Sequence, residues 1–396
     1  MIPRMTGAGR YIVELAVRLP ALAEHLALDV LLLPAMKTTP VPRMIADAGA
    51  RIHYVDTRIA TIRQWVVIPY VLERLRPDLY HYPFLDMPYS RFPSLVTIYD
   101  LNPILHPHYF RRLANIKRPV ARRMIGSTLR RSRAVITISD ATRHRVAECY
   151  PESADKLRTI RLGVDALAWA GDAQGHGGAG AGGGDWTTRS YVLYVGVDRP
   201  HKNLVRLVRA FGNFRATNGS SPGNGPYLWL AGVGTGSPAL RGEVSSLSLS
   251  QDVRFDPELN EAELHAAYRG ARAFAYLSTS EGFGLPVLEA LAAGVPVVAA
   301  NTSSLPEVGG DAVLYASPHD ESAISDALNR IWSDESLRDN LVGRGRHRVL
   351  DFSWDTMASA TLEAYYDAAS PRIRGKTDDG KTDDRKAGRV AKGRRG

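Results

Sequence analysis

Between Asp29 and Ala299 the chain repeats one unit: a short apolar run, a turn, and a longer stretch whose apolar residues recur at helical spacing. A parallel strand reaches the next only through a crossover, so this alternation predicts βα repeats and an α/β fold. In the first half the strand candidates are Asp29 to Leu33, Ile52 to Val55, Leu79 to Tyr82, Ser94 to Tyr99, Ala134 to Ile138 and Lys156 to Arg161. In the second half they are Tyr191 to Val195, Tyr227 to Leu230, Val253 to Phe255, Ala273 to Tyr276 and Val295 to Ala299, with helices over Asn203 to Phe214, Pro238 to Ser248 and Glu261 to Arg269. The pattern breaks once, at Ala170 to Asp185, a Gly- and Ala-rich stretch that cannot bury a core and reads as a linker. His176 within it reads as solvated. A chain of 396 residues, 44% of them hydrophobic, has enough material for a core on each side of that break.

The predicted architecture is two facing Rossmann-like domains with a cleft between them. Residues 1–169 form the first domain, 170–186 the linker, 187–353 the second domain, 354–369 a final helix and 370–396 a disordered tail. One piece is missing from this scheme. A Rossmann-like half opens with a central strand that feeds a glycine turn, and Thr6-Gly7-Ala8-Gly9 supplies such a turn ahead of a helix over Arg10 to Leu26. Met1 to Met5 is too short for the strand and contains Pro3. The expectation is a native start upstream, or a remnant of that strand in Met1 to Met5.

The formal charge of +9 is unevenly spread. Residues 371–396 hold ten Lys or Arg and four Asp, which leaves +3 for the rest, and their near-repeat of Gly-Lys-Thr-Asp-Asp has too few apolar residues to fold. That distribution argues against a nucleic-acid surface. A second basic run, Arg111, Arg112, Lys117, Arg118, Arg122, Arg123, Arg130, Arg131 and Arg133, spans 23 residues without an acid. With Val120, Met124, Ile125 and Leu129 interleaved, it suits either a core-packed helix with a solvated basic face or a helix lying on an anionic membrane through residues 111–133. No apolar run reaches the roughly 18 residues that span a bilayer, and no secretory signal is read at the start. Cys149 is the single cysteine, so no intrachain disulfide forms and a reducing compartment is the simplest reading. The expected location is the cytoplasm, with peripheral contact at the inner membrane face.

The chemistry concentrates in Ser280 to Ala290, where Glu281 and Glu289 are separated by seven residues around a glycine turn that opens a helix near Leu285. Glu281 then sits on the loop, Glu289 lies a turn inside, and the N–H groups of Gly284, Leu285 and Val287 are read as free at the helix start, while Pro286 suits a first helical turn. Amides and a helix dipole there favour a diphosphate, and each carboxylate can accept from sugar or ribose hydroxyls. The same residues also suit a plain helix start with favourable dipole partners. A second polar loop, Asn301 to Val308, follows the next strand, and ligands of open α/β sheets bind at such strand ends. Gly196 to Asn203 places Arg199 and Lys202 on another strand-to-helix loop. A cation is disfavoured by the dipole at a helix start, so Lys202 there points to an anion. Asp100 ends the strand Ser94 to Tyr99 and fits either a site or a turn. No Asp-x-Asp motif lies in a suitable loop, and His106 and His108 lack carboxylate neighbours, so no metal is expected.

The run Glu281, Gly282, Phe283, Gly284, Pro286 and Glu289, with the loop Asn301 to Pro306, resembles the signature of the retaining glycosyltransferases of family 4, the group 1 transferases of GT-B architecture. The resemblance covers roughly residues 7 to 369. It implies a nucleotide diphosphate sugar as donor, held by the second domain, and a glycan or lipid-linked acceptor held by the first, with no cofactor. It implies further that Glu289 meets the ribose, Glu281 the donor sugar, and the amides of Gly284, Leu285 and Val287 the sugar or phosphate. Phe283 and Pro286 complete that motif. Gly9 and its loop would approach donor phosphate and acceptor, Gly232 would lie near the nucleotide, and Gly196 leads the loop that carries Lys202. Relatives often place an Arg directly after that glycine; Val197 stands here, with Arg199 as the substitute. Many relatives also have His before the Asp at position 100, where this chain has Tyr99, so only the location is carried over. The final helix would cross back onto the first domain. The variants Pro200-His201-Lys202-Asn203 and Asn301-Thr302-Ser303-Ser304 resemble bacterial mannosyltransferases of surface polysaccharide assembly, which implies GDP-mannose, with a UDP-sugar as the other choice. Two other readings are a nucleotide-sugar epimerase of the same architecture and a nonenzymatic membrane or nucleic-acid binding module.

Overall fold

The computed structural model describes residues 7–57, 61–105, 114–170, 189–219 and 221–369, the side chains of 103, 105, 114–118 and 170 apart. Met1 to Met5, His106, His108, Arg111, Arg112, His176 and the basic tail lie outside the described residues, as does nearly all of the predicted linker.

The first half runs α1 (Gly7–Leu22), β1 (Asp29–Leu32), α2 (Val41–Asp47), β2 (Arg51–Tyr54), α3 (Gln64–Leu75), β3 (Tyr80–Tyr82), β4 (Ser94–Ile98), α4 (Asn102–Leu105), α5 (Ala114–Arg131), β5 (Ala134–Thr137), α6 (Asp140–Cys149), β6 (Leu157–Thr159) and α7 (Ala166–Ala170). The second runs β7 (Tyr191–Val195), α8 (Leu204–Thr217), β8 (Tyr227–Ala231), α9 (Pro238–Ser246), β9 (Val253–Asp256), α10 (Glu261–Arg269), β10 (Ala273–Tyr276), α11 (Leu285–Ala292), β11 (Val297–Ala300), α12 (Leu305–Gly309), β12 (Leu314–Ala316), α13 (Glu321–Ser333), α14 (Glu335–Arg348) and α15 (Trp354–Ala368).

Six parallel strands form the second sheet in the order β12-β11-β10-β7-β8-β9. Helices cover both faces, which is why β7, β8, β10 and β11 are continuous apolar runs with every residue buried. Local chemistry fixes the helix starts. Asn260 and Glu263 close a capping box on α10, and Ser237 caps α9. Pro286 sits in the first turn of α11 after Gly284, whose φ of 109° is left-handed; a Cβ there would lie 2.6 Å from Leu305 Cδ2.

The first sheet is split. β3-β4-β5-β6 form one parallel ribbon and β1-β2 another, and among the described residues no strand joins β1 to β3. The core splits with it: Val13, Val30, Val41 and Ile45 pack around β1, while Ile68, Leu72, Tyr80 and Tyr82 pack around β3.

α15 packs on α1, β4 and β5, so the last helix lies on the first half of the molecule. His81 Nδ1 is 2.7 Å from the Tyr365 hydroxyl and Nε2 is 2.8 Å from Thr97 Oγ1; burial lowers this imidazole to about 3, which keeps it neutral. Arg133 donates to the Ala368 carbonyl at 3.1 Å, and Arg158 pairs with Asp367 at 2.6 Å.

Two readings of the first helix need correction. Gly7 to Gly9 is the first turn of α1 and not a loop before it, and the helix stops at Leu22, four residues short of Leu26. The basic run is also partly consumed by the fold. Arg131 donates to the carbonyls of Met87 (2.6 Å) and Pro88 (3.1 Å), and Arg133, itself exposed, donates to Ala368; Arg122, Arg123 and Arg130 are exposed as well. No helix of the described residues is long and apolar enough to cross a membrane.

Candidate functional site

The chain leaves β7 towards β8 and β9 on one side, then returns to β10 on the other, so the sheet order reverses between β7 and β10. The loops after these two strands leave the sheet at that switch point, the place where ligands of open α/β sheets bind. They carry Gly196 to Asn203 and Leu277 to Gly284. Asn203, itself left-handed at φ 61°, ties them together by donating to the carbonyls of Leu277 (3.1 Å) and Pro318 (2.7 Å).

Across this junction Lys202 Nζ lies 2.7 Å from Glu281 Oε1 and 2.6 Å from the Tyr276 hydroxyl. Both charged side chains are nearly enclosed, at 13% and 11% exposure. Burial by itself lowers the Lys202 ammonium, but Glu281, with Tyr194 and Asp100, outweighs it and holds the group above its ordinary value. Asp100, from the first half, faces the same pair. Burial raises its carboxyl and Glu281 adds to that, while Asn102 and Lys202 act the other way. Its Oδ1 accepts from the Asn102 N–H at 2.9 Å, and the Asn102 side chain meets Ser280 Oγ at 2.9 Å. The structure therefore brings Lys202, Glu281 and Asp100 together. Arg199 is not in that group: it is exposed and, among the described residues, forms no side-chain hydrogen bond.

The Asn301 to Pro306 loop braces Glu281. Ser303 Oγ accepts from the Glu281 N–H at 2.8 Å, and Ser304 Oγ donates to the carbonyls of Glu281 (3.1 Å) and Phe283 (2.7 Å). Phe283 is buried edge-on against Phe352, with ring centroids 5.9 Å apart. At the start of α11 the reading of three free amides is corrected. Val287 N–H donates to the Gly284 carbonyl at 2.9 Å and its side chain is buried, because the left-handed Gly284 folds its carbonyl back over the first turn. Only the Gly284 and Leu285 amides remain without a protein acceptor among the described residues. Gly196 and Gly232 meet backbone to backbone: a Cβ on Gly232 would lie 3.0 Å from the Gly196 carbonyl oxygen. Gly9 is half-buried in the first turn of α1.

Glu289 is 2% exposed, with Arg10 Nη1 at 2.9 Å from Oε1 and the Tyr268 hydroxyl at 3.0 Å from Oε2. Arg10 comes from the first half of the chain and Glu289 from the second. Further contacts bridge the same boundary. Ser139, the N-cap of α6, donates to the Gly282 carbonyl at 2.7 Å. Glu307 accepts from the Asp140 and Ala141 amides at 2.8 and 3.2 Å, which closes that helix start with a carboxylate, and pairs with Arg161 at 3.2 Å. Gly282 touches the Tyr99 carbonyl so closely that a Cβ would stand 2.0 Å from it. Arg10 and Arg161 carry no local signal; Ser139, which follows the strand Ala134 to Ile138 and fits a polar loop or an N-cap, and Glu307, in the Asn301 to Val308 loop, are legible as local features but not as boundary contacts, since no spacing rule links partners more than a hundred residues apart.

The Glycosyltransferase Family 4 model matches residues 5–166 and the Glycosyl transferases group 1 model residues 184–348. The chain is 26% identical over 391 residues to the O-antigen chain mannosyltransferase B of Escherichia coli, covering 91% of this chain and 96% of that one. It is 26% identical over 262 residues to the O-antigen chain mannosyltransferase RfbU of Salmonella typhimurium, covering 66% of each. In three dimensions it is similar to WaaG, a glycosyltransferase involved in lipopolysaccharide biosynthesis, with a TM-score of 0.69 at 14% identity over 91% of this chain and 96% of WaaG. It is also similar to Anabaena HepE in complex with UDP and glucose, with a TM-score of 0.68 at 15% identity over 92% and 97%.

Proposed function

Because this chain belongs to the family 4, group 1 glycosyltransferases of GT-B architecture, we propose that it moves a hexosyl group from a nucleotide diphosphate sugar to a glycan or lipid-linked acceptor with retention of anomeric configuration. GDP-mannose is the preferred donor and surface polysaccharide the product class. The mannosyl specificity rests on the two O-antigen relatives; the likeness to HepE bears on the fold alone.

The observation that carries the reading is the Lys202–Glu281 pair, 2.7 Å apart beside the start of α11 at the switch point. In the proposed reaction the bond between the anomeric carbon and the leaving phosphate oxygen breaks, and negative charge grows on the diphosphate. Lys202 and the Gly284 and Leu285 amides receive that charge in a site already short of water. The acceptor oxygen bonds the anomeric carbon from the same face, and its proton passes to the departing phosphate. Glu281 takes donor-sugar hydroxyls and thereby keeps Lys202 oriented. Arg199, exposed on the same loop, reaches the diphosphate only after turning inward. Asp100 faces this centre from the acceptor side. Glu289 takes the ribose hydroxyls, which requires Arg10 to share or release one carboxylate oxygen. No metal is required, so dialysis against EDTA leaves the rate unchanged. The enzyme works in the cytoplasm, with the exposed Arg122, Arg123 and Arg130 at an anionic membrane surface.

A thermal-shift panel of GDP-, UDP- and ADP-sugars tests the donor, since a ligand that binds only the folded state raises the melting temperature. GDP-mannose should give the largest rise. A larger rise with a UDP-sugar removes the GDP assignment, and no rise with any of them removes the donor site.

A further inference from the structure

We propose that Tyr276 is a positioning residue for the transfer step: its hydroxyl holds the Lys202 ammonium in place for the leaving diphosphate and leaves the positive charge undiminished. The proposal rests on the role given to Lys202 above and adds what keeps that charge available.

Lys202 has two partners of different kinds. Glu281 Oε1, at 2.7 Å, belongs to a carboxylate that neutralises the ammonium, whereas the Tyr276 oxygen, at 2.6 Å, accepts one N–H and neutralises nothing. The ammonium is also 5.0 Å from the centroid of the Tyr276 ring, close enough for the ring quadrupole to favour a cation. When Glu281 takes donor-sugar hydroxyls its carboxylate is shared, and Tyr276 is the contact that does not have to change. Lys202 carries its charge on a flexible four-carbon stem. With one N–H on each partner, the third is left for a phosphate oxygen.

The tyrosine is itself immobilised. It ends β10 and is 1% exposed, and its ring stacks on Tyr194 and on Phe274 with centroids 5.8 and 5.9 Å away and planes 15° and 16° apart. A rotamer change would have to displace both neighbours in a close-packed interior. The need of a buried hydroxyl for a partner does not by itself account for the contact. Other tyrosines of this sheet find theirs on the backbone: Tyr191 donates to the Ala267 carbonyl at 2.7 Å and Tyr194 to the Val197 carbonyl at 3.3 Å. Tyr276 instead accepts from a charged side chain 74 residues away in sequence, on the loop after β7 and beside Glu281.

The test is a double-mutant cycle on kcat, read as GDP released from GDP-mannose with water or methyl α-mannoside as acceptor. Tyr276→Phe keeps the stacked ring and removes the oxygen. It should lower kcat by about tenfold to a hundredfold and move the donor KM by less than about threefold. In a Lys202→Ala background the same change should lower kcat by less than about twofold, because the group through which it acts is gone. An equal loss in both backgrounds overturns the proposal, as does a drop in Tm with kcat of the folded protein intact, the result of a hydroxyl that serves the fold alone. Should Tyr276→Phe fold poorly, 4-fluorophenylalanine at position 276 fills the space of the hydroxyl with a poor acceptor; the same loss of kcat is expected, and wild-type kcat overturns the proposal there. No GDP release by the wild type, or wild-type kcat in Lys202→Ala, removes the reading of the site and Tyr276 with it. A slow Lys202→Ala beside an unimpaired Tyr276→Phe removes the Tyr276 assignment alone.

Discussion

The Arg10 guanidinium reaches across the domain boundary and stands 2.9 Å from Glu289, the carboxylate placed deepest in the signature helix. Glu289 is almost wholly enclosed, so Arg10 and the Tyr268 hydroxyl satisfy a charge that would otherwise be stranded. The two side chains should be coupled energetically. In a double-mutant cycle with Arg10→Ala and Glu289→Gln, each single change destabilises the protein, and the double change costs less than their sum by about 1–3 kcal/mol. Urea denaturation monitored by tryptophan fluorescence measures this, and additive effects would exclude the coupling. Donor titration adds a second readout: if ribose competes with Arg10 for Glu289, Glu289→Gln raises the donor Kd while Arg10→Ala does not.

Closure depends on Gly282 for a steric reason. A Cβ there would come within 2.0 Å of the Tyr99 carbonyl oxygen, well inside any real contact, and the obstacle is backbone. Gly282→Ala should therefore hold the domains apart. We expect transfer to fall by about a hundredfold or more, with a larger radius of gyration in solution scattering and little change in circular dichroism. Wild-type activity in Gly282→Ala would refute closure through this contact. Glu307→Gln should act in the same direction but more weakly, since one oxygen still accepts from the Asp140 and Ala141 amides while the second acceptor and the charge that pairs with Arg161 are lost.

Much of this was legible in the sequence, for definite reasons. Tyr191–Val195 and Ala273–Tyr276 are buried on both faces, so an apolar run fixed both their existence and their ends. The start of α11 followed from Gly284 and Pro286, residues whose backbone preferences act locally. Helical spacing was a poorer guide to ends. It carried α1 past Leu22 because Leu26 continues the apolar stripe, although the chain has turned there and the Leu26 amide already bonds the Ala23 carbonyl. β12, α13 and α14 were not read at all, and α14 shows why: its exposed faces are polar and only Leu341 and Gly345 are buried. The boundary contacts were beyond reach for another reason. Arg10 and Glu289, or Glu307 and Asp140, become neighbours only once two independently patterned domains have docked.

Asp100 gives a pH test. Burial lifts its carboxyl above the ordinary value, and for an acid raised by folding the sign is fixed: stability is fullest below the unfolded pKa and falls as pH rises through the folded one. Asp100→Asn keeps an acceptor for the Asn102 N–H and removes the charge. It should melt above wild type at neutral pH, with the difference vanishing as pH drops to about 4. Thermal melts across that range decide it. A lower melting point at neutral pH would mean that the neighbouring ammonium of Lys202 outweighs burial.

Lys202 is where fold and chemistry separate least easily, so its test needs more than one variant. Lys202→Ala leaves the enclosed Glu281 carboxylate without the cation it pairs with, and some stability is lost on that account alone. Lys202→Arg keeps a cation beside Glu281 with a different reach. If the ammonium receives leaving-group charge, kcat falls by about 10²–10³ in the Ala variant, falls less in the Arg variant, and the donor KM moves little in either. A merely structural role would lower Tm and leave kcat of the folded fraction intact. The pH profile gives an independent check. Lys202 is held above its ordinary value, so its contribution is full below the unfolded pKa and fades only as pH rises through the folded one. Between about pH 6 and pH 9 no loss of rate should trace to it, and a wild-type decline in that range which disappears in Lys202→Arg would contradict the assignment.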